Sequence, residues 1–143
     1  MSDSILTSVK TALGILPGAT EFDDELIIHI NSVLGILTQE GLGPAEGYAI
    51  ESDQETYEDF LGTNKMQLSL AKLFVPLKVR LAFDPPMNSG TTEALTKRAE
   101  ELEYRLYMTE NPKKTFETSE SSNNLHTYEY DDFYDDEDSY EDE

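Results

Sequence analysis

Apolar residues recur near the start of the chain at the spacing of an α-helix. Ile5, Val9 and Leu13 stand at i, i+4 and i+8 and would lie on one helical face. Asp3 is the predicted N-cap, and Gly14 is the predicted C-terminal stop. The pattern therefore predicts a short first helix.

A longer amphipathic segment follows the turn at Pro17-Gly18. Asp23 is predicted to cap this second helix and Gly41 to end it. His29 lies beside the apolar stripe, so we predict a partly buried packing role for its imidazole rather than a catalytic one. The stripe, at i, i+4, i+7 and i+11, consists of Leu26, Ile30, Val33 and Leu37.

The next segment, GLGPAEGY at residues 41–48, is predicted to be a loop because its glycines and proline disfavour a regular helix. Ser52 and Glu55 match a capping box, which predicts a short helix after them. The apolar face of this helix would contain Tyr57, Phe60 and Leu61, and Gly62 would end it.

A third long segment, from Asn64 to Phe83, is more uniformly apolar and predicts a central buried helix. Pro76 lacks an N–H group, so a break or kink is expected there. The alternation at Leu77, Val79 and Leu81 leaves a strand as an alternative for the second half.

The sequence Asp84-Pro85-Pro86 predicts a turn before the last helix. Thr91 or Thr92 is the predicted cap, and Asn111-Pro112 the predicted end. The small Ala99 would let another helix approach closely, which suggests an antiparallel hairpin with the helix at 64–83. The stripe of this last helix consists of Leu95, Ala99, Leu102 and Leu106.

These patterns predict an all-α domain, a small bundle of four to five helices with long antiparallel members, over residues 1–111. Residues 112–143 form an acidic tail whose composition predicts disorder. The whole chain has a net charge of -20. Up to Asn111 there are 18 acidic and 8 basic residues (8 - 18 = -10), and from Pro112 onward 12 acidic and 2 basic residues (2 - 12 = -10).

Aromatic residues are interleaved with the acids of the tail, which contains no Lys or Arg after Leu125. A solvated tail without a partner is one interpretation. Others are a segment that becomes ordered on a basic, apolar surface, and a segment that imitates the charge of nucleic acid. The candidate contact residues in the tail are Tyr128, Tyr130, Phe133, Tyr134 and Tyr140.

The residues that catalysis requires are scarce. The chain has no cysteine and only two histidines, His29 and His126, so no nucleophile and base are paired in the sequence. The tail lacks the glycine of a calcium loop, and Gly41, Gly43 and Gly47 match a dinucleotide fingerprint only loosely. We therefore predict a protein without catalytic residues, cofactor or metal site.

Charge and hydropathy exclude further classes. A net charge of -20 argues against a surface that grips DNA, because phosphate binding requires clustered Lys and Arg. The N-terminal MSDSILTSVK lacks the basic start of a signal peptide, and no apolar run reaches the roughly 18 residues of a membrane span. A soluble, unprocessed chain is expected.

The order of these segments resembles the head-tail connector (head-completion, adaptor) family of tailed bacteriophages. The resemblance covers roughly residues 4–107. It is most specific in FDDELIIHINSVLGILTQEGLGP and LKVRLAFDPP, and it also includes SILTSVKTALGI, YEDFL and EELEYRL. Two features depart from the pattern: Pro76 lies in a helix expected to be continuous, and the acidic tail is longer than the pattern requires.

The resemblance implies a structural virion protein with no catalytic residues. It implies a homo-oligomeric ring, dodecameric to match the portal, that lies below the portal protein and lines the DNA channel. A tail-side neck or stopper protein would be the other partner, and DNA would pass without specific binding. The expected location is the head-tail junction of the virion, and the host cytoplasm during assembly, with no membrane.

By the same analogy the two leucine-rich stripes would form subunit core and neighbour contacts. The loop at Gly41, Gly43 and Pro44 would reach an adjacent ring component. The rival function is that of an acidic DNA mimic, which would bind a basic host nucleic-acid-binding protein.

Overall fold

The computed structural model describes residues 4–111, which form five α-helices. Within this range there is no β-strand, and one isolated bridge joins Ser4 to Thr56. The predicted all-α bundle is confirmed. The helices are α1 (Ile5–Leu13), α2 (Asp23–Gln39), α3 (Tyr57–Leu61), α4 (Lys65–Phe83) and α5 (Ser89–Glu110).

Helix α1 is capped by Ser4 rather than by Asp3. The Ser4 hydroxyl accepts a hydrogen bond from the N–H of Thr7 at 3.2 Å, and Ser4 has an extended backbone. Gly14 ends the helix with φ at 79°, as predicted, because a left-handed residue there costs glycine little.

Helix α2 begins at Asp23, but the predicted cap at Asp23 is wrong. Phe22 is the N-cap residue and makes no side-chain capping bond. The Asp23 carboxylate instead accepts a hydrogen bond from Nζ of Lys10 at 2.8 Å, so it serves the contact between α1 and α2. The helix ends at Gln39, shortly before the predicted Gly41.

Helix α3 is preceded by a capping box, although not the predicted one. The Thr56 hydroxyl accepts from the N–H of Asp59, and the Asp59 carboxylate accepts from the N–H of Thr56, at 3.1 and 2.9 Å. Ser52 and Glu55 do interact, but they close a turn in the preceding loop. The two pairs share the same spacing, and the one adjacent to the buried Tyr57 caps the helix.

Helix α4 starts after its N-cap Asn64 and runs without a break through Pro76. The predicted break and the alternative strand at residues 77–81 are therefore wrong. Pro76 is itself buried, with Phe74, Val75 and Val79 around it in sequence. Burial of these side chains offsets the hydrogen bond that proline cannot make.

Helix α5 begins at Ser89, earlier than a cap at Thr91 or Thr92 would allow. The Asn88 side-chain oxygen accepts from the N–H of Thr91 at 3.1 Å, while the Thr92 hydroxyl donates to the carbonyl of Pro86. The helix ends at Glu110, directly before Asn111, as predicted.

Helices α4 and α5 form the predicted antiparallel hairpin. The Gln67 side-chain amide, near the start of α4, donates to Thr109 and to the Glu110 carboxylate, near the end of α5, at 3.2 and 2.8 Å. The buried Ala99 lies on the core side of α5. Helix α4 also contacts α1, α2 and α3, so one hydrophobic core forms around it.

A buried ion pair joins the corner between α1 and α2. The Lys10 side chain is 3% exposed, and its Nζ donates to Asp23 and also to the carbonyl of Pro17 at 3.0 Å. None of the helices in the described part of the chain is long and apolar enough to cross a membrane.

Replacement of Asp23 by Ala should destabilise the fold by on the order of 2–3 kcal/mol, because the buried Lys10 would lose its ion-pair partner. Urea unfolding followed by circular dichroism measures this loss. Asp24→Ala is the matched control, since it removes an exposed acid from the same first turn. Equal losses in the two variants would contradict a special role for the ion pair.

Candidate partner-contact surfaces

The loop at residues 41–48 lies tightly on the domain. Leu42 is fully buried, and its N–H donates to the carbonyl of Leu37 at 3.0 Å. Gly43 has φ of +74°, and a Cβ placed on it would lie 2.4 Å from a ring carbon of Phe60. Glycine is required here by backbone conformation and by space.

The far end of the loop is held by an aromatic pair and by an amide. Tyr48 stacks on Phe60, with ring centroids 5.5 Å apart. From α2, the Asn31 side chain donates to the carbonyl of Ile50 and accepts from its N–H, at 3.1 and 2.8 Å. These two hydrogen bonds satisfy the backbone N–H and C=O of the buried Ile50, so they hold the chain directly after the loop in place.

Two of the predicted contact residues in this loop, Gly41 and Gly43, are exposed, and Pro44 is half-buried. Gly41 and Gly43 flank the buried Leu42, and Pro44 lies in the chain between Gly43 and the stacked Tyr48. The remaining candidates, the five aromatic residues of the tail, lie outside residues 4–111.

The two leucine-rich stripes lie on the inner faces of their helices. All members are buried except Leu95, which is half-buried. Among the described residues they therefore serve as core, and Leu95 is the member that keeps part of its surface exposed.

A patch of acids and tyrosines lies where the end of α2 meets α5. It lines a groove of about 320 Å³ formed by Glu40, Glu100, Glu103, Tyr104 and Tyr107. Oε1 of Glu40 is buried and accepts no hydrogen bond from the part of the protein that the structure describes. Burial, together with a hydrogen bond and charge repulsion from Glu103, raises the pKa of Glu40 to about 8.

The sequence alone does not predict this patch. The one local indication in the sequence is the position of Glu40 directly after α2, because the helix dipole disfavours a carboxylate at the C-terminus of a helix. Glu103 comes from a helix more than sixty residues later in the chain, and only the packing of α5 brings the two carboxyls together.

The side chains that could take part in catalysis or metal binding have packing roles among the described residues. His29 is partly buried, with its ring 6.1 Å from that of Phe83 and its Nε2 3.9 Å from the Glu25 carboxylate. This arrangement confirms the predicted packing position. No group of three or more His, Cys, Asp or Glu side chains in residues 4–111 is placed to hold a metal ion.

Comparison with known proteins decides the family. A model of the family described as phage connector protein matches residues 5–113. The chain belongs to the phage connector protein family. A search of curated proteins and a search of solved structures each gave no match.

Membership confirms the resemblance seen in the sequence and the general role in head-tail connection. The connector family is structural rather than enzymatic, and its members belong to the virion. The match includes all five helices and the loop at 41–48, so the fold described above is that of the connector domain.

Gly43→Ala should destabilise the connector by about 1–3 kcal/mol, because the added methyl group meets the Phe60 ring and φ is positive. Thermal unfolding measures the effect. Gly35→Ala is the matched control: it lies within α2 with nothing within 4 Å of its Cβ, and it should leave stability unchanged or raise it slightly. Parallel losses at both positions would contradict the close approach of loop and ring.

Glu40→Gln should stabilise the connector at pH 8 and have little effect near pH 4. Because the pKa of Glu40 is raised, its carboxyl group holds a proton in the folded protein between pH 4.5 and about 8. In the unfolded chain the same group releases this proton above its ordinary pKa of 4.5. The stabilisation from that proton is present below pH 4.5 and is lost as the pH rises to about 8. At pH 8 the free energy of unfolding of Glu40→Gln should exceed that of wild type by on the order of 1 kcal/mol, since Glu40 is partly exposed and solvent screens its charge.

Thermal melts of both proteins from pH 4 to pH 9 measure this difference. Glu46→Gln, in the exposed part of the loop, is the control and should show no such trend. A difference between wild type and Glu40→Gln that does not vary with pH would contradict the raised pKa.

Proposed function

We propose that this connector is the subunit of a homo-oligomeric ring, dodecameric to match the portal, that lies below the portal and lines the DNA channel. Its neighbours are the portal protein on one side and a neck or stopper protein on the tail side. The ring serves at the head-tail junction, after subunits have gathered in the host cytoplasm. The family match over residues 5–113 carries the proposal.

The size of the domain fits assembly into a ring. Its single core is small, so contacts between subunits would add stability that the isolated domain lacks. A ring closes through heterologous contacts, in which two different surfaces of one subunit meet two neighbours. The loop segment with Gly41, Gly43 and Pro44 is our candidate for the contact with an adjacent ring component, because the contacts of Asn31 and Tyr48 hold the loop in place.

Charge fits a channel that DNA traverses without being held. The domain up to Asn111 carries a net charge of -10. A wall of that sign repels phosphates, so DNA slides past it rather than binding. The aromatic residues of the tail, which include Tyr128, Tyr130 and Phe133, are candidates for contact with a partner protein.

The connector domain proper is residues 1–111, with residues 112–143 as a separate acidic tail. Residues from all five helices pack into one hydrophobic core. A variant that ends at Asn111 should therefore keep the helical circular dichroism spectrum and the cooperative melt of the full chain. Loss of helicity in this variant would contradict the boundary.

Cryo-electron microscopy of the full chain, mixed with its portal protein, tests the function. A closed ring of helical subunits against the portal is the expected result. A monomer or dimer that ignores the portal would overturn the proposal. If that species instead bound a basic nucleic-acid-binding protein of the host, with an affinity that falls steeply as salt rises, this binding would identify the protein as an acidic DNA mimic.

A further inference from the structure

Helix α4 has a charge opposite to that of the chain around it. It contains Lys65, Lys72, Lys78 and Arg80 and no acidic residue, whereas the whole protein has a net charge of -20. These four are half of the 8 basic residues up to Asn111, so positive charge is concentrated on one helix.

The same helix has a second apolar stripe, which lies at the edge of the core and is partly exposed. Met66, Leu70, Leu73 and Leu77 recur at i, i+4, i+7 and i+11, the spacing of one helical face. Met66 is 62% exposed and Leu73 is 53% exposed, while the other two are half-buried. An exposed apolar face of this kind is typical of a contact surface.

Grooves lie on both sides of this stripe. Toward α1, a groove of about 320 Å³ is lined by Thr11, Ala12, Leu73, Leu77, Lys72 and Arg80. Toward α5, a groove of about 250 Å³ is lined by Met66, Leu70, Arg105 and Met108. Among residues 4–111, no carboxylate lines either groove.

We propose that this outward face of α4 binds the segment 125–143 of a second copy of the chain. The segment contains ten acidic residues and no Lys or Arg after Leu125, with tyrosines and a phenylalanine between the acids. Its carboxylates complement Lys72 and Arg80. Its rings complement the leucines and the grooves beside them.

A second copy is the occupant because one chain carries two different and complementary surfaces. This is what a heterologous contact requires: the acidic segment of one copy meets α4 of the next, and the relation repeats around a ring. Residues 112–124 link the segment to the domain. Fully extended they span about 45 Å, against about 28 Å for the length of α4, so the link is long enough to reach a neighbour.

The proposal rests on the proposed ring only for the position of the second copy. Binding between copies is measured in solution whether or not a closed ring forms. If rings form without binding of segment 125–143 to α4, the α4 contact is overturned and the proposed ring stands. If the binding occurs but no ring forms, the α4 contact is supported and the proposed ring is overturned.

The test is a paramagnetic relaxation experiment on full-length protein. The chain has no cysteine, so Ser69→Cys, exposed on the outward face of α4, takes a single nitroxide label. Labelled protein without ¹⁵N is mixed with ¹⁵N-labelled protein without nitroxide. Broadening of the amide signals of residues 125–143 then reports contact between copies alone, and we expect that broadening.

The double variant Lys72→Glu/Arg80→Glu, made in the nitroxide-bearing copy, should lose the broadening. Lys97→Glu/Arg98→Glu is the matched control, because it makes the same change of charge on exposed side chains of α5 and should keep the broadening. Addition of salt to wild-type protein should also abolish it, which gives a measurement independent of whether the variants fold.

Three results would overturn the proposal. The first is no broadening in the mixed sample. The second is broadening only when nitroxide and ¹⁵N are on the same molecule, which would make the contact intramolecular. The third is broadening that persists in high salt and in Lys72→Glu/Arg80→Glu, which would leave apolar adhesion without charge recognition.

Discussion

The packing of α4 against every other helix is the constraint on which this structure depends. Its inner face contributes Ala71, Phe74, Val75 and Val79 to the core, and α1, α2, α3 and α5 each contact it. The helix is held on several sides, and this explains why it continues through Pro76. A break there would pull the buried Phe74 and Val79 out of register with their neighbours, at a cost greater than that of one missing hydrogen bond.

Polar contacts then fix what apolar packing leaves undetermined. The Lys10–Asp23 pair sets the corner between α1 and α2, and the Asn31 amide binds the backbone of Ile50 so that the loop at 41–48 is held at both ends. A buried charge or amide has few acceptable partners, whereas a leucine has many. These contacts select one arrangement of the surfaces that a connector presents to its partners.

The apolar periodicity was enough to predict the fold. The stripes of α2 and α5 lie on inner faces because a spacing of three and four residues leaves little choice of orientation. Helix starts were less predictable, since Asp3 and Ser4, or Ser52 and Thr56, offer equivalent side chains and tertiary packing decides which one caps. The pairing of Glu40 with Glu103 had no sequence signal of its own, because it arises from the docking of two distant segments.

Charge constrains how copies of an acidic connector approach one another. Two domains with a net charge of -10 each repel, but salt limits that repulsion to about 8 Å under physiological conditions. Association between two copies therefore depends on the residues that touch directly. Of the described helices, only α1 and α4 contain basic residues without any acid, and Lys10, the one basic residue of α1, is buried, so a contact through α4 avoids opposing like charges. In the ring that we propose, the rest of the surface would stay acidic toward DNA while subunits associate, so a channel wall that repels DNA would be compatible with assembly.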